Sequence, residues 1–241
     1  MEPAPALQPH LVHTRHGDLS FKAALAGDAG RPVLLVIRGL FSRADHMEEL
    51  AAPLSAEADI VFAHLPGMHS PTLPGSDLTT ITKAFREMMA ERFADRRVVP
   101  TGVSAGCLVA LGLASLPQVD AMVLVEPFLD VSQCWPLREF AAAKAAPGST
   151  LLPWLKAFFG PNVADDFSPL ANQAPARTAV LVGAVPLEPP RAMTRFPSLT
   201  SEAERAMWRA RGAKVTVCPD AGHDVPARAP QALLAALREA L

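Results

Sequence analysis

Arg97-Val98-Val99-Pro100-Thr101-Gly102-Val103-Ser104-Ala105-Gly106-Cys107-Leu108-Val109-Ala110-Leu111 is the stretch whose reading decides the fold. It opens with a short apolar run of strand character and closes with an Ala/Leu/Val run of helical character. Between them, Gly102-Val103-Ser104-Ala105-Gly106 forms a Gly-x-Ser-x-Gly turn. A serine held at so sharp a strand-to-helix turn is strained. Glycines on either side let neighbouring backbone pass where a Cβ would collide. The turn exposes the Ser104 hydroxyl beside a helix N-terminus, where backbone N–H groups can meet a developing negative charge.

The flanking sequence repeats the strand-then-helix theme. Val33-Leu34-Leu35-Val36-Ile37 and Ala121-Met122-Val123-Leu124-Val125 are continuous apolar runs of strand length, the pattern of strands buried on both faces. Further strands are expected at 59–63, 97–100, 178–182 and 214–218. Helices are expected at about 44–56, 77–93 and 105–116. Ser201-Glu202-Ala203-Glu204 is a capping box opening a helix that Gly212 closes, and Pro230 suits the first position of a final helix. Ahead of all this, 10–16 and 19–26 read as a hairpin turning at Gly17-Asp18. Strands alternating with helices after an initial hairpin predict an α/β fold, with a mostly parallel sheet and helices on both faces. Sites in such sheets lie at the carboxyl ends of the strands.

Composition bounds the function. The chain has 241 residues, half of them hydrophobic, which suits one domain spanning residues 1–241 with a full core. A net charge of −2 gives no electrostatic case for nucleic acid or an anionic membrane surface. No apolar run reaches the roughly 18 residues that span a bilayer. Met1-Glu2-Pro3-Ala4-Pro5-Ala6 lacks the basic and apolar regions of a signal peptide. Cys107, Cys134 and Cys218 are isolated, so neither a disulfide framework nor a zinc site is expected. A reducing cytoplasm is the expected compartment.

Taken in order, the strand ending at Arg38-Gly39-Leu40, the Leu65-Pro66-Gly67 turn, the Ser104 elbow and Gly222-His223-Asp224 after the last strand resemble the α/β-hydrolases along nearly the whole chain. The resemblance implies the α/β-hydrolase fold with a small helical lid insertion over about 128–177. It implies Ser104 as nucleophile and His223 as the base that takes its proton. The oxyanion hole would use the backbone N–H groups of Leu40 and Ala105. No metal or organic cofactor is implied, and the partner is a small acyl substrate.

Three positions depart from the family pattern. Arg38 stands where many members carry histidine; it either favours an anionic substrate or pairs with a nearby acid. Pro66-Gly67-Met68-His69-Ser70 alters the usual turn, and His64 and His69 flank it. No Asp follows Gly183, where most members carry the acid. Glu126, which ends the strand after the elbow helix as in one group of haloalkane dehalogenases, is the preferred substitute. Glu188 is the alternative, with Asp130 or a dyad behind it. Trp135 and Trp154, among the lid's aromatics, are candidates for an apolar acyl pocket. Cys107 reads as core, and Asp224 as structural. The expected activity is hydrolysis of a small ester or thioester through an acyl-serine. The alternatives are acyl transfer on the same scaffold, or a decayed enzyme kept as a binding module.

Overall fold

A computed structural model describes residues 6–39, 44–67, 70–75, 77–134, 139, 158, 166–184 and 197–241. Eight strands form one sheet: β1 (Gln8–Thr14), β2 (Gly17–Ala24), β3 (Val33–Ile37), β4 (Asp59–Ala63), β5 (Val98–Val103), β6 (Ala121–Val125), β7 (Arg177–Gly183) and β8 (Lys214–Cys218). Their spatial order is β1-β2-β4-β3-β5-β6-β7-β8. The β1–β2 and β2–β4 pairs are antiparallel, and every later pair is parallel. The described helices are α1 (Ala44–Ala51), α2 (Leu78–Arg92), α3 (Gly106–Leu113), α4 (Glu202–Ala210), α5 (Val225–Arg228) and α6 (Pro230–Ala240).

Period-two alternation in fully buried strands produces two cores. Along β3, Val33, Leu35 and Ile37 join one cluster, while Leu34 and Val36 join the other. The first cluster is closed by Ile81, Phe85, Met88 and Met89 of α2 and by the apolar body of α3. The second is closed by Met47 of α1 and by Leu233 and Leu237 of α6. Burial on both faces is why these strands read as continuous apolar runs rather than alternating ones.

Three local expectations are corrected. The hairpin turns at Arg15-His16, not at Gly17-Asp18, because Gly17 pairs with Thr14. The φ of +122° at Gly17 and a 2.6 Å bond from Thr14 Oγ1 to the Gly17 carbonyl fix that tighter turn. The elbow strand also runs three residues beyond Pro100, since Thr101, Gly102 and Val103 pair with β6 as far as Val125. The expected 44–56 helix divides at Pro53 into α1 and a 3₁₀ turn, Ala52–Ala56. The capping box at Ser201, the positive-φ stop at Gly212 and the Pro230 start are as expected. Of the anticipated lid, only 128–134, 139, 158 and 166–177 lie among the described residues.

The path of the chain creates the site. From β3 it moves outward to β4, then crosses back to β5 on the other side of β3. The carboxyl ends of β3 and β5 therefore flank a topological switch point, where the sheet opens a crevice.

Candidate active site

Ser104 follows β5 with φ 54°, and Glu126 follows the neighbouring β6 with φ 55°. Both are in the left-handed region that L residues occupy at a cost. The backbone of the next strand holds each of them there. Ser104 N–H donates to the Val125 carbonyl and Glu126 N–H to the Leu181 carbonyl, both at 2.8 Å. The glycines around the turn are required by close approach. A Cβ on Gly106 would lie 2.1 Å from the Ile37 carbonyl oxygen, and one on Gly102 would lie 2.4 Å from the Cys107 Cα.

His223 lies in the loop after β8, between Cys218 and α5. Its Nε2 is 2.9 Å from Ser104 Oγ, and its Nδ1 is 3.1 Å from Glu126 Oε2. An ionised carboxylate only accepts, so Nδ1 carries the ring proton and the Nε2 lone pair faces the Ser104 hydroxyl. Glu126 is wholly buried, whereas the His223 side chain is 20% exposed. Burying a carboxylate is costly unless its lone pairs are met. Here Oε1 accepts from Gly183 N–H at 2.6 Å and Ser198 Oγ–H at 2.9 Å, and Oε2 accepts from Leu199 N–H at 2.9 Å.

A second tier fixes those donors. Thr200 Oγ1 donates to the Pro127 carbonyl, and Arg205 Nη2 donates to the Gly183 carbonyl at 2.6 Å. Glu204 Oε1 accepts from the Leu129 and Asp130 amides, while Oε2 closes the capping box with Ser201. Burial pushes the Glu204 carboxyl above its usual range, although those hydrogen bonds oppose it. Sequence reasoning missed Ser198, Leu199, Glu204 and Arg205 as a clamp on the acid. The one legible trace was the Ser201–Glu204 box.

Gly39, at the end of β3, passes directly beside the serine: a Cβ there would be 2.7 Å from Ser104 Cβ. Ala105 sits at the N-cap of α3, where helical geometry leaves its N–H without an intrahelical acceptor. Leu40, the other expected oxyanion donor, lies outside the described residues, as do His69, Trp135, Trp154 and Glu188.

Arg38 is buried, with Nη2 3.1 Å from His64 Nδ1 and Nη1 3.8 Å from Glu48 Oε1. Asp130 is engaged by Ser132, capping the 3₁₀ turn Val131–Gln133. Asp224 is the N-cap residue of α5. Cys107 is wholly buried, its Sγ donating to the Val125 carbonyl, and burial drives its thiol pKa far up. All three cysteines are free. Among the described residues, no group of His, Cys, Asp and Glu is placed to hold a metal ion. No helix among them is long and apolar enough to cross a membrane.

A serine at a strained elbow, a histidine at its hydroxyl and a buried carboxylate behind the histidine are brought together at the carboxyl ends of β5 and β6. The chain belongs to the alpha/beta hydrolase family, which it matches over residues 33–237. Among solved structures, an alpha/beta hydrolase from Novosphingobium aromaticivorans shares 20% identity at a TM-score of 0.71, covering 98% of this chain and 99% of that one. The thioesterase domain from the curacin biosynthetic pathway shares 17% identity at a TM-score of 0.65, over 97% of this chain and 99% of that one. A haloalkane dehalogenase loop variant from Bradyrhizobium elkanii shares 12% identity at a TM-score of 0.67, over 97% of each chain. At these identities the likeness is one of fold. A search of the curated proteins returns no match.

Proposed function

We propose that this protein is a serine hydrolase that cleaves a small ester or thioester through an acyl-Ser104 intermediate. The observation that carries the reading is the unbroken line from Ser104 Oγ through His223 to Glu126, at 2.9 and 3.1 Å. His223 takes the Ser104 proton as Oγ attacks the acyl carbon, and returns it to the departing alcohol or thiol. Glu126 holds the ring in the Nδ1–H tautomer and stabilises the imidazolium. The Ala105 N–H, with that of Leu40, receives the charge on the tetrahedral oxygen. Water, activated by the same histidine, then releases the acid. The mechanism needs no metal and no organic cofactor.

An acyltransferase would share every step up to the acyl-serine, differing only in the acceptor. The decayed-scaffold reading rests on the altered Arg38-Gly39 and the displaced acid, and the hydrogen-bonded line from Ser104 to Glu126 weighs against it. Arg38, committed to His64 and Glu48 and buried, is better placed to stiffen the end of β3 at Gly39 than to bind an anionic substrate. The lid aromatics, Trp135 and Trp154 among them, are the proposed wall of the acyl pocket.

The test is labelling with a fluorophosphonate, which reacts with activated serines. The wild type is expected to be labelled and Ser104→Ala is not. Hydrolysis of short-chain esters and thioesters, with and without added alcohol or amine acceptors, then separates hydrolase from transferase. A folded wild-type protein that resists the probe sinks the reading.

A further inference from the structure

We infer that Ser198 is a positioning residue, fixing which oxygen of Glu126 faces His223 and how strongly that oxygen draws the ring proton. This rests on the Ser104–His223–Glu126 relay proposed above.

The hydroxyl of Ser198 both accepts and donates, and the carboxylate oxygen beside it can only accept. The Ser198 oxygen accepts the Thr200 N–H at 3.3 Å, and an N–H can only donate. Its proton is therefore directed to Glu126 Oε1, 2.9 Å away. Ser198 is wholly buried, so water cannot take its place. With Gly183 N–H on Oε1 and Leu199 N–H on Oε2, the carboxylate is gripped on both oxygens before His223 is counted. A swing about its terminal bond would break donors on both sides at once.

Loss of the hydroxyl leaves Oε1 with one donor. Hydrogen bonds to a charged acceptor are the strong ones, and each spreads some of its charge. With one removed, Glu126 pulls harder on the Nδ1 proton, so His223 holds a second proton to higher pH. The neutral ring that can act as base becomes scarcer at a given pH.

Other ionisable groups face this pair from each packed element. Cys107 on α3 and Cys218 at the end of β8 lie in the field of Glu126, and burial with that field keeps both thiols protonated. Arg205 of α4 reaches the Gly183 carbonyl, Glu204 of α4 turns to the Leu129 and Asp130 amides, and Asp224 follows His223 at the start of α5.

The experiment compares wild type, Ser198→Ala, Ser198→Thr and Ser198→Cys. Two readouts are taken from about pH 5 to about pH 9: the fluorophosphonate reaction rate, and an NMR titration of the His223 ring. Ser198→Ala is expected to react several-fold more slowly at neutral pH. Its His223 midpoint should rise by on the order of half a pH unit in both readouts. Ser198→Thr, keeping the hydroxyl, restores the midpoint. Ser198→Cys, close in size but a weak donor, moves it as alanine does and serves if the alanine chain does not fold. A slower rate at an unchanged midpoint marks a merely structural role and overturns the inference, as does an unchanged profile. A wild type that the probe leaves untouched overturns the hydrolase reading alone, because the ring titration still decides the role of Ser198.

Discussion

Ser104 and Glu126 share one backbone conformation, φ 54° and φ 55°, at the carboxyl ends of two adjacent strands. They are the two non-glycine residues with positive φ among those described. Each is stapled to the next strand across by its own N–H, at 2.8 Å. The sheet thus repeats one device twice. A strand ends, the next residue kinks into the left-handed region, and its side chain turns toward the loop that carries His223.

The strain at Ser104 has a measurable cost. Ser104→Ala keeps the Cβ and so keeps the strain, while Ser104→Gly removes both. Urea unfolding should find the glycine chain more stable than the alanine chain by about 1 kcal/mol. Equal stabilities would show that the turn is relaxed in solution. Neither variant should be labelled by a fluorophosphonate.

Glu126 and Glu188 make opposite predictions. Glu126→Gln replaces an acceptor-only group with one whose NH₂ faces donors, and it removes the negative charge behind His223. The labelling rate should fall by about 10⁴, the scale set by loss of the acid in a serine triad. Glu188→Gln should leave the rate near that of the wild type. Melting temperatures taken alongside separate lost chemistry from lost fold. A large loss at Glu188 with little at Glu126 would reassign the acid.

Asp77 caps α2, its Oδ1 accepting the Thr80 N–H at 2.9 Å and its Oδ2 the Thr80 hydroxyl at 2.7 Å. Partial burial pushes its carboxyl pKa up, but the hydrogen bonds outweigh that and hold it below the usual aspartate value. A folded-state pKa below the unfolded one stabilises the fold above the ordinary aspartate range. That stability is lost as pH falls through the folded value. Asp77→Ala should therefore cost about 1 kcal/mol near neutrality, and the two chains should converge in acid. Denaturant unfolding at both pH values checks the convergence.

What could be read from the sequence was whatever leaves a local or periodic trace. Val33-Leu34-Leu35-Val36-Ile37 announces a strand covered on both faces because every residue in it is apolar. Gly102-Val103-Ser104-Ala105-Gly106 announces the elbow because close approach demands glycine at two fixed offsets. Glu126 could be preferred over Glu188 as the acid only through the resemblance, because one group of haloalkane dehalogenases carries its acid at the end of the strand after the elbow helix. The clamp on Glu126 could not be foreseen. Gly183, Ser198 and Leu199 reach it from 57, 72 and 73 residues away, through a loop hydroxyl and two amides. Any residue supplies an amide, so such contacts leave no pattern to find. The hairpin was misplaced by a few residues for a related reason. Gly17-Asp18 has turn composition, yet the strand pairing of Gly17 with Thr14 decided where the chain turned.

The three groups of the proposed relay are far apart along the chain: His223 lies 119 residues after Ser104 and 97 after Glu126. During translation the elbow serine therefore emerges long before the residue that would deprotonate it. On the proposed mechanism, a nascent or truncated chain that lacks His223 carries an unactivated hydroxyl. On that mechanism, reactivity arises only once β8 has docked and brought His223 to Ser104. Probe labelling, followed in time, would therefore also clock the closing of the last strand.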